Sequence, residues 1–277
     1  MRAALEPRYH QRMKIATWNV NSVRARLERA LAWLDKVQPD LACLQEVKCQ
    51  QDVFPRDRFE ERGYHVEVHG QKTYNGVALL AREKPVDVVP IFPLAEDTAA
   101  RGIAATVGGI RVVDLYVPNG KEVGSESYDY KLRWLDGLER WLVENHRPSD
   151  PLILTGDFNI APDDRDVWDV ELWRDKVLCS EPERSRFQRL LGWGLTDALR
   201  RFTDAPAQYT WWDYRNLGFQ KRQGLRIDHF LATDAVMARA TGVTIDRDER
   251  RGEGASDHAP VLLELSDTES FKPESST

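Results

Sequence analysis

The sequence predicts an α+β fold, two packed and mostly antiparallel sheets covered by helices. Apolar and β-branched runs of strand length recur along the chain with turns between them. A few longer segments carry apolar residues at helical spacing. Strands and helices do not alternate strictly, as a parallel βαβ sheet would require. With 277 residues, 42% of them hydrophobic, the chain has the apolar material for a sizeable core.

Residues 14–20 read as a buried strand, and Asn21 or Ser22 is placed to cap the helix that follows. That helix carries Val23, Leu27, Ala30, Leu31 and Leu34 on one face and Arg24, Arg29 and Asp35 on the other, with Pro39 as its stop. A short strand from Leu41 ends in the carboxylate Glu46. His65, Glu67 and His69 alternate, which fits a surface strand better than a metal cluster. Runs at 76–82, 86–91, 102–107 and 110–117 read as antiparallel strands, with Gly108-Gly109 as a hairpin turn. A helix over 128–144 puts Leu132, Leu135, Leu138, Trp141 and Leu142 on a broad apolar face. The second half holds a strand at 152–157, helical pieces near 183–191 and 196–202, and strands near 226–232, 241–245 and 260–265. The acidic run Asp163, Asp164, Asp166 and Asp169 lacks the glycine and final glutamate of an EF-hand in register and reads as a loop. The organisation expected is one domain over 13–265, an N-terminal extension over 1–12, and a disordered acidic tail over 266–277.

The 39 basic and 45 acidic residues leave a net charge of −6, which argues against non-specific coating of nucleic acid and allows a local basic site. Cys43, Cys49 and Cys179 form no Cys-x-x-Cys pair and no disulfide framework, as suits a reducing compartment. No apolar run approaches the roughly 20 residues that cross a bilayer, and the first twelve residues lack a signal-peptide core. A soluble, cytoplasmic protein without a membrane partner is expected.

Several strands end in polar residues that a strand does not need: Asn19, Glu46, Asp157 with Asn159, Asp228, and Asp257 with His258. Each lies where an apolar run meets a loop, so folding could gather them at one end of the sheets. An oxygen-rich set without cysteine favours hard cations such as Mg²⁺ or Mn²⁺. Strict alternation would put Asp157 and Asn159 on one side. Ser256-Asp257-His258 cannot form a nucleophilic relay, because consecutive side chains diverge. The stretch from Tyr214 to Arg226 holds Arg215, Lys221, Arg222 and Arg226 without one acid and suits a loop touching a phosphate backbone.

Taken in order, Thr17-Trp18-Asn19-Val20-Asn21, Leu44-Gln45-Glu46, Leu115-Tyr116-Val117-Pro118-Asn119, Gly156-Asp157-Phe158-Asn159, Arg226-Ile227-Asp228 and Ser256-Asp257-His258 resemble the motifs of the exonuclease/endonuclease/phosphatase superfamily. His69-Gly70-Gln71-Lys72, Trp193-Gly194-Leu195 and Trp211-Trp212-Asp213-Tyr214-Arg215 are similar to the exonuclease III branch, and the likeness runs over about residues 13–265. The segment from Met13 resembles the family start, so Met1 and Met13 both stand open as the natural initiator.

The resemblance implies a four-layer α/β sandwich and a Mg²⁺-dependent phosphodiesterase, with Mn²⁺ as a possible substitute. The implied substrate is double-stranded DNA carrying abasic sites or recessed or blocked 3′ ends, bound by a monomer. It implies Glu46 as principal metal ligand, with Asn19 and Asp257 completing or tuning the site. Asp157 would align or deprotonate the attacking water, and Asn159 would hold that water and a phosphate oxygen. Asp228 would orient His258, and His258 and Tyr116 would contact a non-bridging phosphate oxygen. Trp211, Leu225 and Ile227 resemble a pocket for a flipped-out abasic sugar. Arg101, Asn119, Lys121 and Arg215 resemble backbone contacts. A phosphatase of small or lipid phosphates and a non-catalytic DNA-binding relative are the alternatives.

Overall fold

The computed structural model describes residues 12–267, so the expected extension and most of the expected tail lie outside the described residues. The chain forms β1 (Met13–Asn19), α1 (Leu27–Val37), β2 (Leu41–Gln45), α2 (Arg56–Glu60), β3 (His65–His69), β4 (Val77–Ala81), β5 (Val86–Pro90), β6 (Gly102–Val107) and β7 (Ile110–Tyr116). There follow α3 (Glu126–Asn145), β8 (Leu152–Asp157), α4 (Val170–Trp173), α5 (Glu181–Gly194), β9 (Leu195–Asp197), β10 (Asp228–Thr233), α6 (Asp234–Met237), β11 (Ala240–Ile245) and β12 (Val261–Leu265).

Two six-stranded sheets result, ordered β11-β12-β1-β2-β4-β3 and β5-β6-β7-β8-β10-β9. Each has one parallel pair at its centre, β1 with β2 and β7 with β8, and is otherwise antiparallel. The central strands are buried on both faces, which is why they read as continuous apolar runs rather than as alternating ones. Ile15, Cys43, Leu79, Val112, Ile153 and Phe230 meet between the sheets. Their neighbours Ala16, Ala42 and Leu44 turn outward under Leu31 and Leu34 of α1, and Val113 and Leu154 turn outward under Leu138 of α3 and Phe187 of α5. The outcome is the four-layer α/β sandwich.

Two local expectations are corrected, and the acidic run keeps its loop reading. Neither Asn21 nor Ser22 caps α1, because both take positive φ in a turn that follows β1, and the helix begins only at Leu27 behind Arg26. The segment near 196–202 is not helical: its first residues extend as β9 along β10, where Thr196 pairs with Ala232. The edge pairing overrides local helix preference there. The acidic run is a set of caps and ion pairs: Asp163 and Asp169 accept from the backbone N–H groups of Arg165 and Leu172.

Candidate active site

The topology gathers the polar strand ends on one rim. β1, β2, β7 and β8 deliver their C-terminal ends there: Asn19, Gln45 just before Glu46, Tyr116, and Asp157. β10 runs antiparallel to β8 and delivers its first residue, Asp228, in register with Asp157. β12 runs antiparallel to β1, so His258 arrives in the segment that leads into it. Contacts between the sheets close the set.

The Asn19 amide ties the two sheets together. Its Nδ2 donates to Glu46 Oε1 (2.8 Å) and to Asp157 Oδ2 (2.9 Å), while its Oδ1 accepts from the Asn21 N–H (3.0 Å). Glu46 takes φ 52°, in a left-handed turn that aims its carboxylate back over the rim, 2.7 Å from Lys48 Nζ. Asp157 Oδ1 accepts from the Asn159 N–H (2.9 Å) and Oδ2 from Asn159 Nδ2 (3.2 Å). Asn159 therefore reaches Asp157 through a turn with φ 50° and not by strand alternation, since β8 has already ended.

His258 is buried, with Nδ1 at 3.1 Å and 2.9 Å from the two Asp228 oxygens and Nε2 3.7 Å from Asp157 Oδ2. Burial alone would lower its pKa, but Asp228 first and then Asp157 raise it well above the usual imidazole range, so it is an imidazolium at neutral pH. Asp157 is also raised, to about 7, far above the usual carboxylate range. Burial raises it, His258 opposes, and Asp228 and Glu46 add to the rise. Tyr116 is held as a phenol by burial and by the charges of Glu46 and Asp157. Thr210 Oγ1 accepts from the N–H groups of Ile227 and Asp228 (3.1 Å each) and fixes the entry to β10.

Glu46, Asp157 and His258 offer atoms lying within 4.8 Å of one another, the one such group among the described residues. Three carboxylates (Glu46, Asp157, Asp228) face two cations (Lys48, His258), so the cluster is rich in oxygen donors and carries excess negative charge. A hard divalent cation fits that donor set.

The cluster floors a cleft of about 280 Å³ that is also lined by Tyr116, Asn119, Lys121, Asn159, Trp211, Arg215, Ile227 and Asp257. Asn119 Nδ2 donates to Asn159 Oδ1 (3.0 Å). Trp211 is oriented by its Nε1, which donates to Asp257 Oδ2 (3.0 Å). Asp257 thus stands beside the cluster but outside it, its other oxygen taken by Asn21 Nδ2 (2.9 Å). Burial would raise its pKa, but His258, Trp211 and Asn21 lower it.

Three residues sit elsewhere than expected. Leu225 is fully buried in a satellite core with Ile227 and Leu178, against which Trp211 packs, so it meets its expected neighbours from behind the cleft wall rather than on it. Arg101 lies under the site, its guanidinium 4.9 Å from the Tyr116 ring and bonded to the Tyr116 carbonyl (3.2 Å). Arg226 is buried and paired with Asp166 (2.6 Å) and Asp197 (2.7 Å), so it is unavailable to a phosphate.

Sequence reasoning missed Trp173, Val177, Leu178 and Asp213, which also line the cleft, and Lys131 beneath it. Lys131 had a readable signal: it shares the 3-and-4 spacing of Tyr128, Leu135, Leu138 and Leu142 in α3, an apolar stripe where a lysine must have a buried partner. The cleft wall from α4 had none.

Comparison with known proteins agrees with this geometry. The chain is 37% identical over 266 residues to exodeoxyribonuclease III of Haemophilus influenzae, covering 91% of this chain and 100% of that one. It superposes on the 3′ phosphatase NExo from Neisseria bound to product DNA hairpin with a TM-score of 0.88 at 45% identity, over 91% of this chain and 99% of that chain. An AP endonuclease from Archaeoglobus fulgidus gives a TM-score of 0.88 at 35% identity, with the same coverage of 91% and 99%. The profile of the Endonuclease/Exonuclease/phosphatase family matches residues 16–258, and the chain belongs to that family.

Proposed function

We propose that this protein is a metal-dependent DNA-repair nuclease that hydrolyses phosphodiester bonds of duplex DNA. In this reading it cuts 5′ to abasic sites, degrades 3′ ends and cleans blocked 3′ termini, as a cytoplasmic monomer that meets the nucleoid through its substrate. The observation that carries the reading is the acid-and-imidazolium cluster on the floor of a cleft walled by Trp211 and Ile227 and flanked by Arg215 and Lys121. Relatives matched over nine-tenths of the chain act on DNA by name, which weighs against a phosphatase for small or lipid phosphates.

Glu46 and Asp157 would hold a Mg²⁺ ion, or Mn²⁺ in its place, which supplies positive charge against the scissile phosphate. Asp157, held by Asn19 and Asn159, orients and deprotonates the attacking water. Both Asn159 amide protons are engaged, with Val117 O (3.0 Å) and Asp157, so it acts on the water through Asp157. Asn19 turns its NH₂ group to the carboxylates, which makes it a tuner of the site. His258 Nε2–H and the Tyr116 hydroxyl donate to non-bridging oxygens as charge grows on the phosphorane. Asp228 keeps the imidazolium charged and facing the cleft. Asn119, Lys121 and Arg215 contact the backbone, and Trp211 with Ile227 receives the sugar of an extruded abasic site.

The test is cleavage of a 5′-labelled duplex carrying one stable abasic analogue, with Mg²⁺ or EDTA, by wild type and Asp157→Asn. A Mg²⁺-dependent band at the lesion that the variant loses is expected. A ladder from the 3′ end would put the exonuclease first. No cleavage by wild type with Mg²⁺ or Mn²⁺ would overturn the reading.

A further inference from the structure

On the far side of the loop that bears Trp211 lies a second recess, about 410 Å³, lined by Phe219, Arg222, Arg247, Arg250 and Arg251 and by no acid. Trp211 and Trp212 are consecutive and face opposite ways: Trp211 lines the catalytic cleft, and the Trp212 ring lies 5.4 Å from the Arg247 guanidinium and edge-on to Phe219 at 5.1 Å. Arg250 stacks on Tyr214 (4.8 Å) and Phe219 (5.4 Å). The aromatic rings thus hold two guanidinium planes in fixed positions.

These cations lack anionic partners. Arg222, Arg247 and Arg250 make no ion pair within 4.0 Å among the described residues, and Arg251 pairs only with the exposed Asp248 (2.9 Å), a contact that yields readily. Nearby acids are engaged elsewhere: Asp246 with Trp33 Nε1 (3.0 Å) and Lys36, Glu249 with Arg29 (3.4 Å), and Asp257, whose charge reaches Arg250 without a direct contact, with Trp211 Nε1 (3.0 Å) and Asn21 Nδ2 (2.9 Å). Arg250 is more than nine-tenths buried. Its Nη2 has one long bond to the Trp212 carbonyl (3.3 Å), and its Nε has no partner. A desolvated guanidinium without a counter-charge is costly, and a bound anion offsets that cost.

We propose that this recess is a second phosphate-binding site, which takes a backbone phosphate of the duplex whose scissile bond lies in the cleft. The proposal rests on the nuclease reading above. Tyr214 joins the two sites: its hydroxyl meets Arg26 Nη2 (3.1 Å) and donates to the Ala255 carbonyl (2.7 Å), so Arg26 and the recess form a ladder of cations that Arg215 extends once its exposed pair with Asp213 (2.8 Å) yields. One strand presents a charge about every 3.4 Å of helix axis, which suits such a ladder. Guanidinium forks match phosphate oxygens two at a time, so arginine in all four positions fits this ligand better than lysine would.

The experiment measures binding of a fluorescent duplex with a stable abasic analogue in EDTA, by anisotropy across a KCl series, for wild type and for Arg247→Gln/Arg251→Gln. Both substituted residues are exposed, so the variant folds. Loss of one phosphate contact lowers the slope of log Kobs against log[KCl] by about one and weakens affinity roughly tenfold at low salt. Single-turnover cleavage at saturating duplex stays at the wild-type rate. Shortening one duplex arm weakens wild type and leaves the variant unaffected. Equal slopes and affinities in the two proteins would overturn the proposal. So would calorimetric binding of inorganic phosphate that the variant loses while its duplex affinity is unchanged, since the site would then serve a free anion. A wild type that cleaves normally while the slopes coincide fails only the second site, whereas a wild type that cleaves nothing fails the nuclease reading.

Discussion

Lys131 has no exposed surface, and its ammonium meets Glu183 and the carbonyls of Asn159 (2.6 Å) and Asn119 (3.1 Å). Burial pulls its pKa down and Glu183 holds it up. One side chain thus fixes two loops of the cleft, while Glu183 accepts from the N–H groups of Leu178 (3.0 Å) and Ser180 (3.1 Å). Lys131→Met should cost about 3–5 kcal/mol in urea unfolding, because it leaves a buried carboxylate unpaired. The double variant Lys131→Met/Glu183→Leu should lose less than the two single variants summed, and additive losses would count against the coupling. His258→Gln should lower kcat by roughly 10²–10³-fold with duplex Kd within a few-fold of wild type, the pattern for a donor used mainly in the transition state. Near-normal turnover would remove His258 from that role.

Gly156 sits one residue before Asp157 with φ 128°, and an added Cβ would stand 2.0 Å from the Leu115 carbonyl oxygen on the parallel neighbour. Only glycine lets β7 and β8 stay paired up to the rim. Gly156→Ala should therefore cost about 3 kcal/mol or more and disable cleavage together, read by unfolding and by the labelled-duplex assay. A stable but inactive variant would mean the strands adjust and only the carboxylate moves. β10 has its own brace at the opposite edge. Arg226 joins Asp166 and Asp197 and donates to His229 Nδ1 (3.1 Å), which leaves Nε2–H to donate to the Ile160 carbonyl (2.9 Å). A basic residue that looked fit for DNA is instead the pin that sets the start of the strand bearing Asp228.

For the whole molecule this brace carries a pH signature. Burial, then Arg226, lowers the His229 pKa to about 4, so the folded protein stays neutral there while the unfolded chain titrates near 6.5. Between these values the unfolded state binds more protons at this site, so the stability the brace contributes falls as pH drops from about 6.5 to about 4, by on the order of 3 kcal/mol. Asp197, whose pKa burial would raise and Arg226 lowers, extends the loss through the carboxylate range. The raised Asp157 carboxyl works against this loss, since it takes up a proton in the folded state over the same range, so the check is urea midpoints at pH 7 and pH 4.5 in the Asp157→Asn background, where equal midpoints would refute it. Mg²⁺ should raise the melting temperature by binding the folded state, and Asp157→Asn should abolish that rise. EDTA should leave the wild type folded, since the apolar core between the two six-stranded sheets holds the sandwich and the acidic rim lies at its end.

The sequence by itself determined every strand but β9, the long helices, and the rim residues Asn19, Glu46, Asp157, Asn159, Asp228 and His258, because apolar runs and their polar ends are local features. It also carried the family motifs in order. Only the tertiary structure decided which cations are free: Arg226 is buried and paired, whereas Arg247 and Arg250, distant in sequence from Trp212 and Phe219, meet those rings across a recess. It likewise turned Leu225 inward and moved Asp257 beside the cluster rather than into it. Burial and pairing are set by contacts between segments far apart in the chain, and composition or periodicity within one segment does not encode them.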